Sequence, residues 1–498
     1  MSRRFLLGAV LLLASLAGSA APPSPAPGTA RSTRQIAPGV TLVQEVTSAA
    51  SPGGPLVVNV VRVDPRQPGV RVAAALGGDR VWGDDPTQGR ETVSRLAARR
   101  KAIVAVNAGY FPFAGNPIGI HLEDGDLVTE PNQRTVLLIE KSGAASLARL
   151  RFAGTVTAPD GTTFAISGLN RRPARNDALV LFTHRFAPAT LLGPDRFEVA
   201  VRGRVSPLAP NVEHTGRVTL AAPGGGHVLA PDTLVLSGSG AGAQWLREHT
   251  PSGARLRLRL QIDGAPERIR DWRTVRLAVA GGPRLLAEGR VAVNATEEGF
   301  DGGFANGRHP RTAAGIASDG ALLLITVDGR QRGFSQGATL AELAALLLKH
   351  GARDAVNLDG GGSTTLVVRD ALTNAPSDGR ERPVANALLV FADAAGEKTG
   401  AKPPLALAAP SDAVAPLVPG RRRAFALRDA AGRVLSAHPR AVWGTAGGVG
   451  FVTQDGVFYA LRPGRGTVQA VLGDVTASAP VTVEAAMAPA ETLPPPVP

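Results

Sequence analysis

Residues 311–365 read RTAAGIASDGALLLITVDGRQRGFSQGATLAELAALLLKHGARDAVNLDGGGSTT, and they constrain the chain more than any other stretch. Apolar positions 340, 343, 344, 347 and 348 recur at the 3–4 spacing of a buried helical face, which predicts a helix over 339–350. A short apolar strand follows and runs straight into Asn357-Leu358-Asp359-Gly360-Gly361-Gly362-Ser363. An earlier strand closes on Val327-Asp328-Gly329-Arg330. Carboxylates and amides at strand ends, beside backbone without side chains, mark a site more than a core.

The helix–strand unit has an echo. Thr92-Val93-Ser94-Arg95-Leu96-Ala97 leads through a short helix, over 92–101, to Ala105-Val106-Asn107-Ala108-Gly109. Thr339-Leu340-Ala341-Glu342-Leu343-Ala344 leads likewise to Ala355-Val356-Asn357-Leu358-Asp359-Gly360. Both units end in Ala-Val-Asn followed by glycine, so the two strand ends are expected to meet, with Arg311 and Arg330, around one concave pocket.

Elsewhere the pattern is mostly strand. Leu56 to Val63, Val70 to Leu76 and Ala102 to Val106 are apolar and β-branched. Asp124-Gly125, Asp160-Gly161 and Asp319-Gly320 each separate two strand patterns and read as tight hairpin turns. Residues 196–270 continue with strands and a glycine-rich loop at Gly224-Gly225-Gly226. The fold class is α+β, a β-rich catalytic domain with few helices, plus a small C-terminal Ig-like β-sandwich.

Six segments are expected. Arg3 and Arg4, the apolar run Phe5 to Leu16 and Gly18-Ser19-Ala20 read as a signal peptide over 1–20, too short to span a bilayer. A flexible leader of Pro, Ala, Ser and Arg occupies 21–35, the catalytic domain 36–393 and a linker 394–404. Short regular strands around Trp443 fill 405–485, and a proline-rich tail covers 486–498. The C-terminal module carries no convergent polar set, which predicts that it is dispensable for chemistry. The chain is expected to be secreted or held in the periplasm or cell envelope, with no transmembrane segment after signal cleavage.

The formal net charge of +13 suggests acidic partners, yet all but five of the 54 basic residues are Arg in a chain rich in Ala, Gly and Pro. That is the bias of a GC-rich genome. With four Trp and two Tyr there is little for base stacking, so nucleic acid is not an expected partner. Gly360-Gly361-Gly362 lacks the Lys-Ser/Thr of a phosphate-binding P-loop, and Ser363 lies in no Gly-x-Ser-x-Gly elbow.

Residues 102–128, AIVAVNAGYFPFAGNPIGIHLEDGDLV, resemble the first motif of the phosphodiester glycosidase family. Residues 309–330 and 354–366 are similar to its second and third motifs, and Pro376-Ser377-Asp378 with Arg382-Pro383-Val384-Ala385-Asn386 fits its closing segment. The resemblance covers roughly residues 50–392 and leaves the middle third, 150–280, with few family signatures. It implies cleavage between an anomeric carbon and a phosphodiester oxygen, as in removal of N-acetylglucosamine from its 1-phosphodiester. An oxocarbenium-like centre calls for carboxylates and the phosphate calls for guanidinium and N–H donors.

The motifs supply these groups. Asp359 and Asp328 are the candidate catalytic carboxylates, with their division of labour open. Candidate substrate contacts are Asn107, Gly109, Arg311, Thr312, Arg330, Asn357, Gly360, Gly361, Gly362 and Ser363. Plainer readings stand beside these: Asp328-Gly329 as a turn, Arg311 in a structural pairing, Asn107 and Asn357 as capping amides, His309 as structural. No His/Cys/Asp/Glu spacing composes a transition-metal site, and no cofactor is expected; a hard divalent cation beside Asp359 stays an open alternative. The expected partner is a carbohydrate phosphodiester in a cell-envelope polymer or exopolysaccharide. A non-catalytic envelope glycan-binding protein on the same fold is the competing expectation.

Overall fold

The computed structural model describes residues 29–51, 53–112, 115–172, 176–191, 193–203, 206–393, 404–409 and 416–486. The expected signal peptide, the body of the linker and all but the first residue of the tail lie outside the described residues.

Two sheets face each other across the core that carries the site. The first runs in the order Thr29–Ala37, Val40–Thr47, Val57–Val63, Leu322–Val327, Arg311–Ala317, Ala352–Asn357, Arg284–Ala287, Arg290–Val291, every neighbour antiparallel. The second is Ala371–Leu372, Leu366–Val368, Val104–Asn107, Asn386–Phe391, Arg71–Leu76. Alternation along each strand sends Val61, Leu324, Ala314 and Val356 from the first sheet against Val104, Val106, Leu366 and Leu388 from the second.

Each sheet's other face is covered by one of the two echoing helices. Leu340–Lys349 buries Leu340, Leu343, Ala344 and Leu347 on Ala313, Leu323, Ile325 and Ala355. Its start is fixed by a capping box in which Thr339 and Glu342 exchange side-chain and backbone bonds. Val93–Arg100 lays Val93, Leu96 and Ala97 on Ala75, Ala105, Val367 and Leu389, and Thr92 caps it. The core is thus four layers: helix, sheet, sheet, helix.

A second eight-stranded sheet spans 151–263 and packs its core with Ala241–His249. The three Asp-Gly hairpins form as the sequence predicts, with Glu123 opposite Asp126, Thr157 opposite Thr163 and Ile316 opposite Leu322. Among the described residues no helix is long and apolar enough to cross a membrane.

The flexible leader expected at 21–35 is corrected over its described part. Thr29–Ala37 is a strand, paired from Thr29 opposite Thr47 to Ala37 opposite Val40, so residues 29–35 belong to the first sheet. Ile36 is 1% exposed in the core, and Arg34 donates to the Gln454 carbonyl. The strand forms because the neighbouring hairpin edge and the C-terminal unit satisfy its backbone and its cation.

Residues 416–486 form short sheets around the fully buried Trp443. The linker composition conceals a close contact between this unit and the main core. Gln44 donates to Asn59 Oδ1 (2.9 Å) and accepts from Gln454 N (2.9 Å), all buried. Phe451 packs with Val57, Phe334 and Ala375, and Val442 and Val471 join the inter-sheet core.

Candidate active site

The ends of the two echoing strands meet, although the strands belong to different sheets. Asn107 Nδ2 donates to the Asp359 carbonyl (2.6 Å), and Asp359 N donates to the Ala108 carbonyl (2.9 Å). Asn107 Oδ1 accepts from Thr312 Oγ1 (2.9 Å) and Thr365 N (3.1 Å). With both ends of that amide bonded to protein and the residue 1% exposed, Asn107 is corrected from pocket lining to a strut between the two strand ends. Thr312, 0% exposed, is a strut of the same kind.

Asn357 is equally buried. Its Nδ2 faces three oxygens, Tyr110 Oη (2.5 Å), Gly282 O (3.1 Å) and Leu358 O (2.9 Å), which fixes the amide's orientation. Its Oδ1 is left buried without a hydrogen-bond partner. Gly109 N donates to Asn386 Oδ1 (2.8 Å), and a Cβ at Gly109 would lie 3.0 Å from Ala280 O.

The three glycines have three different neighbours. A Cβ at Gly360 would sit 2.7 Å from Pro310 O. Gly361 takes φ +60°, and a Cβ there would be 3.2 Å from Arg330 Nη1. At Gly362 a Cβ would occupy the space of Arg382 Nη2 and Asp378 Oδ2. The turn that follows Asp359 therefore passes between two guanidinium groups.

Those cations differ from Arg311. Arg330 is exposed, at the left-handed φ of +58°, with Nη2 3.4 Å from His309 Nδ1 and no carboxylate partner among the described residues. Arg382 is half-buried and pairs with Asp378 Oδ2 through Nε (3.0 Å) and Nη2 (2.7 Å). Arg311, 1% exposed, donates through Nε to Ala338 O (2.8 Å) and through Nη2 to Phe304 O (2.7 Å) and Gly307 O (2.9 Å). Its fork, expected to meet phosphate, is spent on backbone and on the Phe304 ring 4.8 Å away. That is a correction, and burial also brings its pKa down to about 10.

The carboxylates also part company. Asp328 is 1% exposed and accepts from Asn374 Nδ2 (2.9 Å) and Ala375 N (2.9 Å). Burial raises its pKa to about 7, against those two hydrogen bonds. Asp359 keeps partial exposure; desolvation lifts it to about 6 while Ser363, Arg382 and the Gly360 N–H pull it down. Tyr110 is pushed well above its ordinary value, by burial first and then by Asp359. His309 is lowered by burial and by Arg311 and Arg330. Among the described residues no three His, Cys, Asp or Glu side chains cluster as metal ligands.

Four participants carry weaker sequence signals. Tyr110 follows the Asn-Ala-Gly turn and reads as a plain aromatic; its ring meets Phe300 at 5.4 Å, with Arg134 5.2 Å above it. Arg382 and Asp378 lie in the closing segment without an assigned role, and Asn374 precedes it. A cleft of about 570 Å³ lined by Asn116, Ile118, Asn132 and Arg171 opens beside the loop after Tyr110, where Ile118 N bonds to the Tyr110 carbonyl.

Parts of this chain match known proteins. The sequence profile described as "Phosphodiester glycosidase" matches residues 197–391. N-acetylglucosamine-1-phosphodiester alpha-N-acetylglucosaminidase of Bos taurus is 43% identical over 103 residues, 19% of this chain and 19% of the relative. The SPbeta prophage-derived uncharacterized protein YomE of Bacillus subtilis is 45% identical over 85 residues, 17% of this chain and 13% of its own. The matched segments are thus less than a quarter of either relative's length. A solved protein of Burkholderia pseudomallei K96243, named as exported, is 30% identical with a TM-score of 0.56, covering 69% of this chain and 75% of that one. Residues 197–391, the stretch that carries the Asp359 turn, are thus a phosphodiester glycosidase family domain.

Proposed function

We propose that the protein is an exported hydrolase that cleaves the glycosidic C–O bond of a sugar 1-phosphodiester in cell-surface or extracellular glycans. The observation that carries this reading is the Asp359 carboxyl at a strand end whose glycine turn is flanked by Arg330 and Arg382. With a pKa of about 6 the carboxyl is mostly ionised at pH 7, as required to stabilise positive charge growing at an anomeric carbon. Arg330, with no carboxylate partner among the described residues, is available to a phosphodiester, and Arg382 lies on the other side of the turn. The anomeric C–O bond breaks, the phosphate monoester departs with the bonding pair, and water supplies the new anomeric oxygen and the balancing proton. Asp328, capped by Asn374 and Ala375, holds the turn from behind, because Asn374 Nδ2 also donates to Thr364 O (3.1 Å). A polymeric remainder would find room in the cleft beside the Tyr110 loop.

Incubation with a panel of sugar 1-phosphodiesters in H2(18)O tests this. Free sugar labelled at the anomeric oxygen, with unlabelled phosphate monoester, is the expected result. Label in the phosphate would mean P–O cleavage, and binding without turnover would favour a glycan-binding protein.

A further inference from the structure

The C-terminal unit touches the segments that build the site, and one side chain makes the decisive contact. Arg462 Nη2 donates to Gln331 Oε1 (3.3 Å) and to the Ser377 carbonyl (3.1 Å). Its Cδ and Nε run along Gly379, 3.4 and 3.5 Å from where a Cβ would stand. Gly448 of the same unit abuts the Gly379 carbonyl so closely that a Cβ would not fit.

Both contacts lead inward. Gln331 Nε2 donates to the Ala375 carbonyl (2.9 Å), and Ala375 N donates to Asp328 Oδ2 (2.9 Å). From Ser377 the strap continues through Asp378 to Arg382, which rests against Gly362. Alongside, Phe334 meets Phe451 at 5.2 Å and Tyr459 at 6.0 Å, so the strap's base is clamped by aromatic packing. Arg462 itself lies outside the core around Trp443. A half-buried cation there, its pKa lowered by burial, is costly unless its hydrogen bonds fix something.

We propose that Arg462 is a positioning residue of the site: it braces the strap 375–382 from the C-terminal unit and thereby keeps Arg382 beside the Asp359 turn. The functional part of this rests on the sugar phosphodiester reading. Around Asp359 the charged and titratable groups are Arg382 and its carboxylate partner Asp378 from the strap, Tyr110 from the loop after Val104–Asn107, and Arg330, Arg311 and His309 across the glycine turn. Arg382 favours the ionised carboxylate, so a strap that drifts lets the Asp359 carboxyl bind its proton at higher pH.

The test compares Arg462→Ala and Arg462→Lys with the wild-type full chain. Hydrogen exchange should quicken in amides 375–382 and not in the sheets. KM for a sugar 1-phosphodiester should rise about tenfold with kcat within about threefold, because substrate anchoring is what is lost. The acid limb of the kcat/KM profile should move to higher pH, and Lys should restore part of each effect. Unchanged exchange in 375–382 overturns the brace. Quickened exchange with unchanged KM and an unmoved acid limb overturns its role in the site, and exchange quickened throughout both variants would make Arg462 a general fold residue and also overturn it. A wild-type protein inert to every phosphodiester sinks the functional reading instead, and the exchange arm still decides the brace.

Discussion

Asp359 combines a carboxylate that solvent can reach with a backbone held on both sides, by Asn107 through its carbonyl and by Ala108 through its N–H. Replacing it with Asn keeps the shape and the backbone bonds and removes the charge. A preorganised charge at such a centre is worth about 2–4 kcal/mol, so Asp359→Asn should lower kcat on the order of a hundredfold or more in a protein that still melts cooperatively. Arg330→Lys should instead raise KM, since an ammonium lacks the fork; steady-state kinetics on both variants separates the two roles. Asp328 gives a pH signature. Its pKa is about 7 in the folded protein against about 3.9 in an unfolded chain, so the native state holds the extra proton between those values. Its contribution to stability should therefore be greatest at the acid end of that window, fall as pH rises from about 4 to 7 and level off beyond, with a slope of at most about 1.4 kcal/mol per pH unit, and Asp359, raised to about 6, adds a slope of the same sign over the lower part. Asp328→Asn should remove its share of the slope in denaturant melts, most visibly between about pH 6 and 7, and leave the share of Asp359.

At the scale of elements, the glycine turn is the part least tolerant of change. Gly362→Ala adds one methyl where Arg382 and Asp378 sit, so their ion pair must move away from Asp359. The expected outcome is a rise in KM of about tenfold in a protein whose far-ultraviolet spectrum is unaltered. Much of this architecture was legible beforehand. The helix over 339–350 could be read because its apolar positions recur at 3–4 spacing, and the hairpins because Asp-Gly turns need no distant partner. The pairing of the Asn-bearing strand ends was legible as an echo. Their duty was not: whether an amide faces solvent or backbone depends on Thr312 and Thr365, more than 200 residues from Asn107. Arg311 escaped for the same reason, its fork being filled by carbonyls of Phe304 and Gly307 that only the folded loop brings near. Thr29–Ala37 looked like leader because its order comes from a hairpin partner and from Gln454, hundreds of residues downstream.

The whole molecule is one interlocked body more than a catalytic domain with a detachable spacer. A chain ending at Asp393 would leave Phe334, Val57 and Gln44 without Phe451 and Gln454. Each lost aromatic or buried polar contact costs on the order of 1–3 kcal/mol, so that chain should melt several degrees lower and bind substrate more weakly. Calorimetry beside kinetics measures both, and an unchanged melting temperature would show the contact to be idle. The meeting of Asn107 with the Asp359 backbone has a consequence of another kind. The Asp359 carboxyl stands on the joint between two sheets whose shared interior is the core itself, so the turn that carries it is tied to the packing of both. On slow heating, any phosphodiester cleavage should vanish with the core in a single cooperative step, and turnover would serve as a gauge of whether the interior is closed.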